Sequence, residues 1–273
     1  MNSSKDLEKY IYEEIVPEYA EFDTAHREDH ALTVIGQAML LLERMPQWLR
    51  EAKDAGQDVS EWEVEVRKDI LLAAAACHDL GLINGRENHH IDSGKIIRSD
   101  ERLREWFSSD EIEIIAQAAE DHRASGKSAP RSIYGMLVAE ADRVIDGDTI
   151  IRRTLQFGQK HYPGLDREGH IERAVAHLRE KYGRGGYLRL WIPWSDNAAR
   201  LSELQDMIAD DAAIHEITLK EFEKLCKDFC KTVYISAATG DGFDRLADTV
   251  EELFIDGEID MANDAVVTGA RQY

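Results

Sequence analysis

The stretch AAAACHDLGL, residues 73–82, sets four alanines in a row, then a cysteine, a histidine and an aspartate, then a glycine two residues on. Four small side chains let another helix approach closely, and two potential ligands arrive just before a residue that ends the helix. Neighbours on a continuing helix point about 100° apart. At a helix end the backbone is free to bend, so one His and one Asp can turn toward a single ion. A histidine in the last turn is by itself only a favourable dipole partner, so the weight of His78 and Asp79 depends on what else the chain supplies.

Working outward, His30 lies upstream in HALTV, with Val34 four residues later on the same helical face. His26 precedes it by four positions and shares that face. Downstream come His90 in HHIDSG, His122 in AEDHRASG and Asp142 in AEADRV. Asp142 sits amid Ile133, Leu137, Val138, Ala141 and Ile145, a stripe that should face the core. A carboxylate buried there needs a cation, several donors or a proton. His89 cannot point inward together with His90, because the two are adjacent, so it either faces solvent or takes the place of His90. His161, His170, His177 and His215 have no converging partners.

The rest of the chain narrows the class. Its 273 residues, 43% hydrophobic, can bury a sizeable core. With 33 basic against 54 acidic side chains the formal net charge is -21, so nucleic acid is a poor partner. The longest apolar run, ILLAAAAC at 70–77, is too short to cross a bilayer, and a soluble, cytoplasmic protein is expected with no membrane partner. Three cysteines, Cys77, Cys226 and Cys230, lack CxxC spacing and read as reduced core thiols.

Helix formers dominate, proline is scarce, and alternating β-branched runs are nearly absent. The patterns predict an all-α fold with helices near 5–20, 27–45, 61–79, 88–99, 109–123, 130–146, 148–161, 167–182 and 196–232. Two domains are expected: a metal-binding helical bundle over 1–190, and a helical extension with an irregular tail over 191–273. The long segment 196–232 suits a helix across the bundle or at a homodimer contact. Trp191, Trp194 and Tyr187 are expected to pack rather than line a cavity. SAATGDGFDRL, 236–246, is similar to the last nucleotide-contacting loop of small GTPases, but the chain has no phosphate-binding loop to go with it.

The ordered set His, His-Asp, His, His, Asp resembles the HD-domain superfamily of metal-dependent phosphohydrolases over roughly residues 20–160. The fold that the resemblance implies is an HD-domain helical bundle. It implies His30, His78, Asp79 and Asp142 as the primary metal site, with His90 and His122 as the extra histidines of members that hold two metals and Asp79 as the bridge. Asp79, His122 and Arg123 are then the expected catalytic groups. His26, Arg27, Arg86, Lys127 and Arg143 form the expected positive rim for a small anionic phosphoester. One or two divalent ions are implied, with iron, manganese, nickel, cobalt and zinc all compatible. HDLGL departs from the HDxGK of many two-metal relatives, because Leu82 stands where they carry a phosphate-binding lysine. Two other readings share the ligand pattern: a mixed-valent di-iron oxygenase and a non-catalytic metal-held binding module.

Overall fold

The computed structural model describes residues 3–22, 26–124, 128–143 and 145–228. Every regular element among them is helical, as the sequence periodicity predicts. The chain divides into two compact units, residues 1–150 with 175–214, and residues 151–174 with those from 215 on. No helix among the described residues is long and apolar enough to cross a membrane.

The first unit is built around α3 (Lys68–Cys77), whose residues Ile70 to Cys77 are all buried. A helix apolar on every side belongs inside a bundle. It packs against α2 (Glu28–Asp54), α5 (Ser109–Asp121) and α6 (Ile133–Asp142). The alanines at 73–76 are fully buried and let these three helices come close.

At the N-terminus, α1 (Ser4–Tyr10) starts from a capping box between Ser3 and Asp6. The expected helix 5–20 does not continue as α-helix: Ile11–Ile15 is a π-turn and Val16–Glu21 a 3-10 turn. Pro17 has no N–H to give the preceding turn, so the hydrogen-bond pattern must change there. This reshaped segment carries Tyr19, fully buried, whose hydroxyl donates to the Ala76 carbonyl at 2.8 Å and accepts from the Asp79 N–H at 3.2 Å.

Three other boundaries differ from the sequence reading. The second helix runs through Pro46 to Asp54 instead of stopping near 45, because Met45 and Ala52 are buried on either side of the proline and their packing offsets one lost hydrogen bond. The third helix begins at 68, not 61. The segment predicted over 196–232 is two helices, α9 (Asn197–Ala209) and α10 (Asp211–Asp228). Asp210 divides them, since its carboxylate accepts from the N–H groups of Ala212 and Ala213 at 3.0 Å and so starts a new helix. Trp194 packs as expected: its indole N–H donates to the Leu41 carbonyl at 2.8 Å, and its ring lies 4.8 Å from that of Trp48 and 5.2 Å from that of Trp62. Tyr187 does not, being 37% exposed just after the Gly185–Gly186 turn.

Two further helices, α7 (Gly147–His161) and α8 (Arg167–Tyr182), complete the described chain between α6 and α9. In the second unit, Ile151, Leu155, Ile171, Phe222 and Leu225 are buried, His170 stacks on Phe222, and Arg152 pairs with Glu221 at 2.6 Å.

After α3 the chain makes the turn His78–Asp79, then a 3-10 turn over Leu80–Asn84, then α4 (His89–Ser99). Gly85 ends the turn with φ of 98°, a conformation glycine adopts without strain. Gly81 is required for a different reason. A Cβ there would lie 2.0 Å from the His89 carbonyl oxygen and 2.4 Å from the Ser93 N, so the start of α4 rests directly on the Gly81 backbone, whose N–H donates to Ser93 Oγ at 2.9 Å. Gly81→Ala is expected to lower stability by about 1–3 kcal/mol, the range for an overpacked core, read as a fall in the urea midpoint without a change in slope.

Candidate metal centre

Side chains from α2, the α3 end, α4, the α5 end and the α6 end meet in one place. His30 projects from the first turn of α2. His78 is the residue that closes α3, and Asp79 follows it with backbone angles of -111° and 7°. The helix has stopped by then, so the two adjacent side chains both turn inward.

Two donor groups result, sharing Asp79. In the first, His30 Nε2 lies 3.3 Å from His78 Nε2, 3.6 Å from Asp79 Oδ2 and 3.4 Å from Asp142 Oδ1. His78 Nε2 is 3.4 Å from Asp79 Oδ2 and 3.9 Å from Asp142 Oδ1. In the second, Asp79 Oδ1 lies 3.4 Å from His89 Nε2 and 3.3 Å from His122 Nε2, and these two nitrogens are 3.2 Å apart. His78, Asp79 and His122 are buried, while the Asp142 side chain is 24% exposed and so accessible from outside.

The hydrogen bonds on the far side of the rings fix what faces inward. His78 Nδ1 is 2.8 Å from the Ala75 carbonyl, His122 Nδ1 is 2.5 Å from that of Ala119, and His89 Nδ1 is 2.8 Å from that of Arg86. A carbonyl only accepts, so each Nδ1 carries the proton and each neutral ring presents an Nε2 lone pair to the centre. Lone pairs then face one another and face carboxylates, and Asp79 Oδ1 is buried without a hydrogen bond. Such a set is held together by a cation or by added protons. Donors each about 2.1 Å from one ion stand roughly 3–3.5 Å apart at ordinary bond angles, which the spacings above match except for the wider His30–Asp79 distance of 3.6 Å and His78–Asp142 distance of 3.9 Å. Both groups therefore fit a divalent metal, His30, His78 and Asp79 in one and Asp79, His89 and His122 in the other, with Asp142 adjoining the first.

Protonation follows the same electrostatics. Burial opposes a charge on His30, but Asp142 and Asp79 overcome it and raise its pKa to about 9. His122 is likewise raised against burial, chiefly by Asp79. Burial works against the Asp79 carboxylate too, yet His78, His122 and His30 hold it well below the usual range. Burial and the neighbouring His122 lower His89.

The second group contains His89, not His90. His89 is the first residue of α4, and its bond to Arg86 turns the ring toward Asp79. His90, one position on, points elsewhere; its Nδ1 is 3.5 Å from Arg123 Nη1, and burial and Arg123 lower its pKa to about 4. Neither the spacing in HHIDSG nor the family resemblance could separate adjacent residues at a helix start. Tyr19 was also invisible in the sequence, where it reads as one more aromatic on an amphipathic segment.

The expected positive rim assembles in part. His26 stands edge-on to His30 with centroids 5.5 Å apart, and its Nε2 is 3.4 Å from Arg86 Nη2. Arg123 donates through Nη1 to the Glu87 carbonyl. Arg27 is exposed at the start of α2, where its carbonyl accepts from the His30 and Ala31 N–H groups. Arg143 is buried and donates to the Ala139 carbonyl, lining a cleft with Arg44 and Glu140. Lys127 lies outside the described residues.

Two outcomes are expected. Tyr19→Phe removes the bonds that hold Ala76 and Asp79 in place, and metal affinity should fall about 10- to 100-fold, the usual effect of losing an outer partner, measured by competition with a chelating dye. In metal-free protein His30, raised above its ordinary 6.5, contributes stability that is complete below about pH 6.5 and lost as pH rises through about 9. Metal must displace that proton, so its binding should release protons near pH 7 and tighten toward pH 9, visible as a buffer-dependent enthalpy in calorimetry.

The family model described as HD domain matches residues 27–145. No curated protein and no solved structure matches the chain. The match runs from the residue before α2 to just past Asp142 and encloses every ligand named above, so residues 27–145 are an HD domain.

Proposed function

We propose that the chain is a metal-dependent phosphohydrolase acting on a nucleotide or another small phosphoester, with two divalent ions sharing Asp79. HD domains form a superfamily of metal-dependent phosphohydrolases, and the His/Asp clusters can hold metal. The observation that carries the finer reading is the two-sided use of one carboxylate: Asp79 Oδ2 faces His30 and His78, while Oδ1 faces His89 and His122. A paired site with a bridging carboxylate suits in-line attack on phosphorus.

Bound cations supply Lewis acidity and make water ionisable near neutral pH. The protein's own groups do the rest. Asp79 and Asp142 bring negative charge that His30, His78, His89 and His122 do not cancel when neutral, which selects cations. Around the mouth, His26, Arg86 and Arg123 offer donors to phosphoryl oxygens. Burial and Arg123 hold the His90 pKa near 4, so its ring is neutral at pH 7 and adds no charge to this rim. The net charge of -21 favours a small anion over a nucleic acid, since only the local patch is positive.

The test is a panel of phosphoesters offered to metal-free protein reloaded in turn with manganese, iron, nickel, cobalt or zinc. Phosphate release that falls at least about 1,000-fold in Asp79→Asn, with metal content halved or lost, supports the reading. Oxygen uptake with an iron paramagnetic signal, and no phosphate release, would assign the oxygenase chemistry instead.

A further inference from the structure

A cleft enclosing about 420 Å³, solvent-open side included, lies in the first unit between α2, the end of α6 and the start of α9. Arg44, Glu140, Arg143, Asp196, Asn197 and Arg200 are among its lining. None of them takes part in the two donor groups of the metal centre.

The charges in this cleft do not balance. Arg44 pairs with Asp196 at 2.9 Å. Glu140 is buried and fully engaged: it accepts from the Trp191 N–H at 2.8 Å and from Asn197 Nδ2 at 2.9 Å. Arg143 is only 7% exposed, spends Nη1 on the Ala139 carbonyl, and has a buried Nε with no hydrogen bond. Neither it nor the exposed Arg200 is within ion-pair distance of a carboxylate among the described residues. A guanidinium is never neutral in a protein, and burying one on which Asp142 and Glu140 act only from beyond ion-pair distance is costly. The first turn of α9 borders the same space and adds the positive end of a 13-residue helix.

From this arrangement we infer that the cleft is a second anion site, which takes a phosphate group between Arg143, Arg200 and the start of α9. Arg143 at the end of α6 and Arg200 with the first turn of α9 approach from two separate elements, which suits a tetrahedral oxyanion better than a planar one. The excess of one positive charge, three arginines against two acids, fits a single phosphoryl group. Because Arg143 directly follows Asp142, an occupant here also fixes the chain beside a metal ligand.

The experiment is calorimetric titration of inorganic phosphate into metal-free protein, in wild type and in Arg143→Gln, Arg200→Gln and His78→Ala variants, with acetate as the planar control. Saturable binding is expected in wild type and His78→Ala, weakened roughly tenfold by Arg200→Gln and abolished by Arg143→Gln. Circular dichroism establishes that each variant is folded, and exposed Arg200 serves as the readout if Arg143→Gln is not. No phosphate binding in wild type, acetate binding as tight as phosphate, equal affinity in folded arginine variants, or loss in His78→Ala alone would each overturn the assignment. The titration needs no turnover, so it stands or falls apart from the phosphohydrolase reading.

Discussion

Three rings of the metal centre are tied by their inner nitrogen to the carbonyl three residues earlier, and everything else in the site follows from that bond. His78, His89 and His122 each hold Nδ1–H on a backbone oxygen, so their remaining nitrogens can only accept. Placed around two carboxylates, they make an inward-facing set with no donor of its own. In the metal-free protein the carboxylates raise the pKa of His30 to about 9 and raise that of His122 as well, and a divalent ion fits the same acceptors. The need for a cation is thus written into the tautomers, not only into the residue types.

A second layer keeps these rings where they are. Tyr19 reaches from the N-terminal segment to both sides of the His78–Asp79 turn, and Gly81 lets the start of α4 lie against that turn closely enough for His89 to join Asp79. Beneath both, the small residues of α3 allow α2, α5 and α6 to close around it. Core packing and ligand placement are therefore one problem in this chain: the helix that fills the bundle is the helix whose end carries His78 and Asp79.

Much of this was legible beforehand because it rests on local chemistry. Helical periodicity and the shortage of proline fixed the class, and a carboxylate amid apolar residues marked Asp142. A histidine and aspartate ahead of a glycine marked the turn. What escaped depended on tertiary contacts. The choice between His89 and His90 turns on a bond to the Arg86 carbonyl. Tyr19 matters only because the segment around Pro17 leaves α-helical geometry. Burial of Met45 and Ala52 carried α2 past Pro46, and a single capping aspartate, Asp210, divided what read as one long helix. Lys127, expected in the positive rim, and the expected irregular tail fall outside the described residues.

The imidazole bonds to the backbone also limit how the centre can change over time. Each ring satisfies a carbonyl with one atom and offers a lone pair with another farther out. An aspartate has no proton to give the carbonyl, a cysteine is too short to reach past it, and a glutamine amide cannot stay rigid between the two. Exchange of one ligand type for another is therefore blocked at His78, His89 and His122, whereas His30, which has no such tether among the described residues, is the position where drift toward a different donor meets the least resistance.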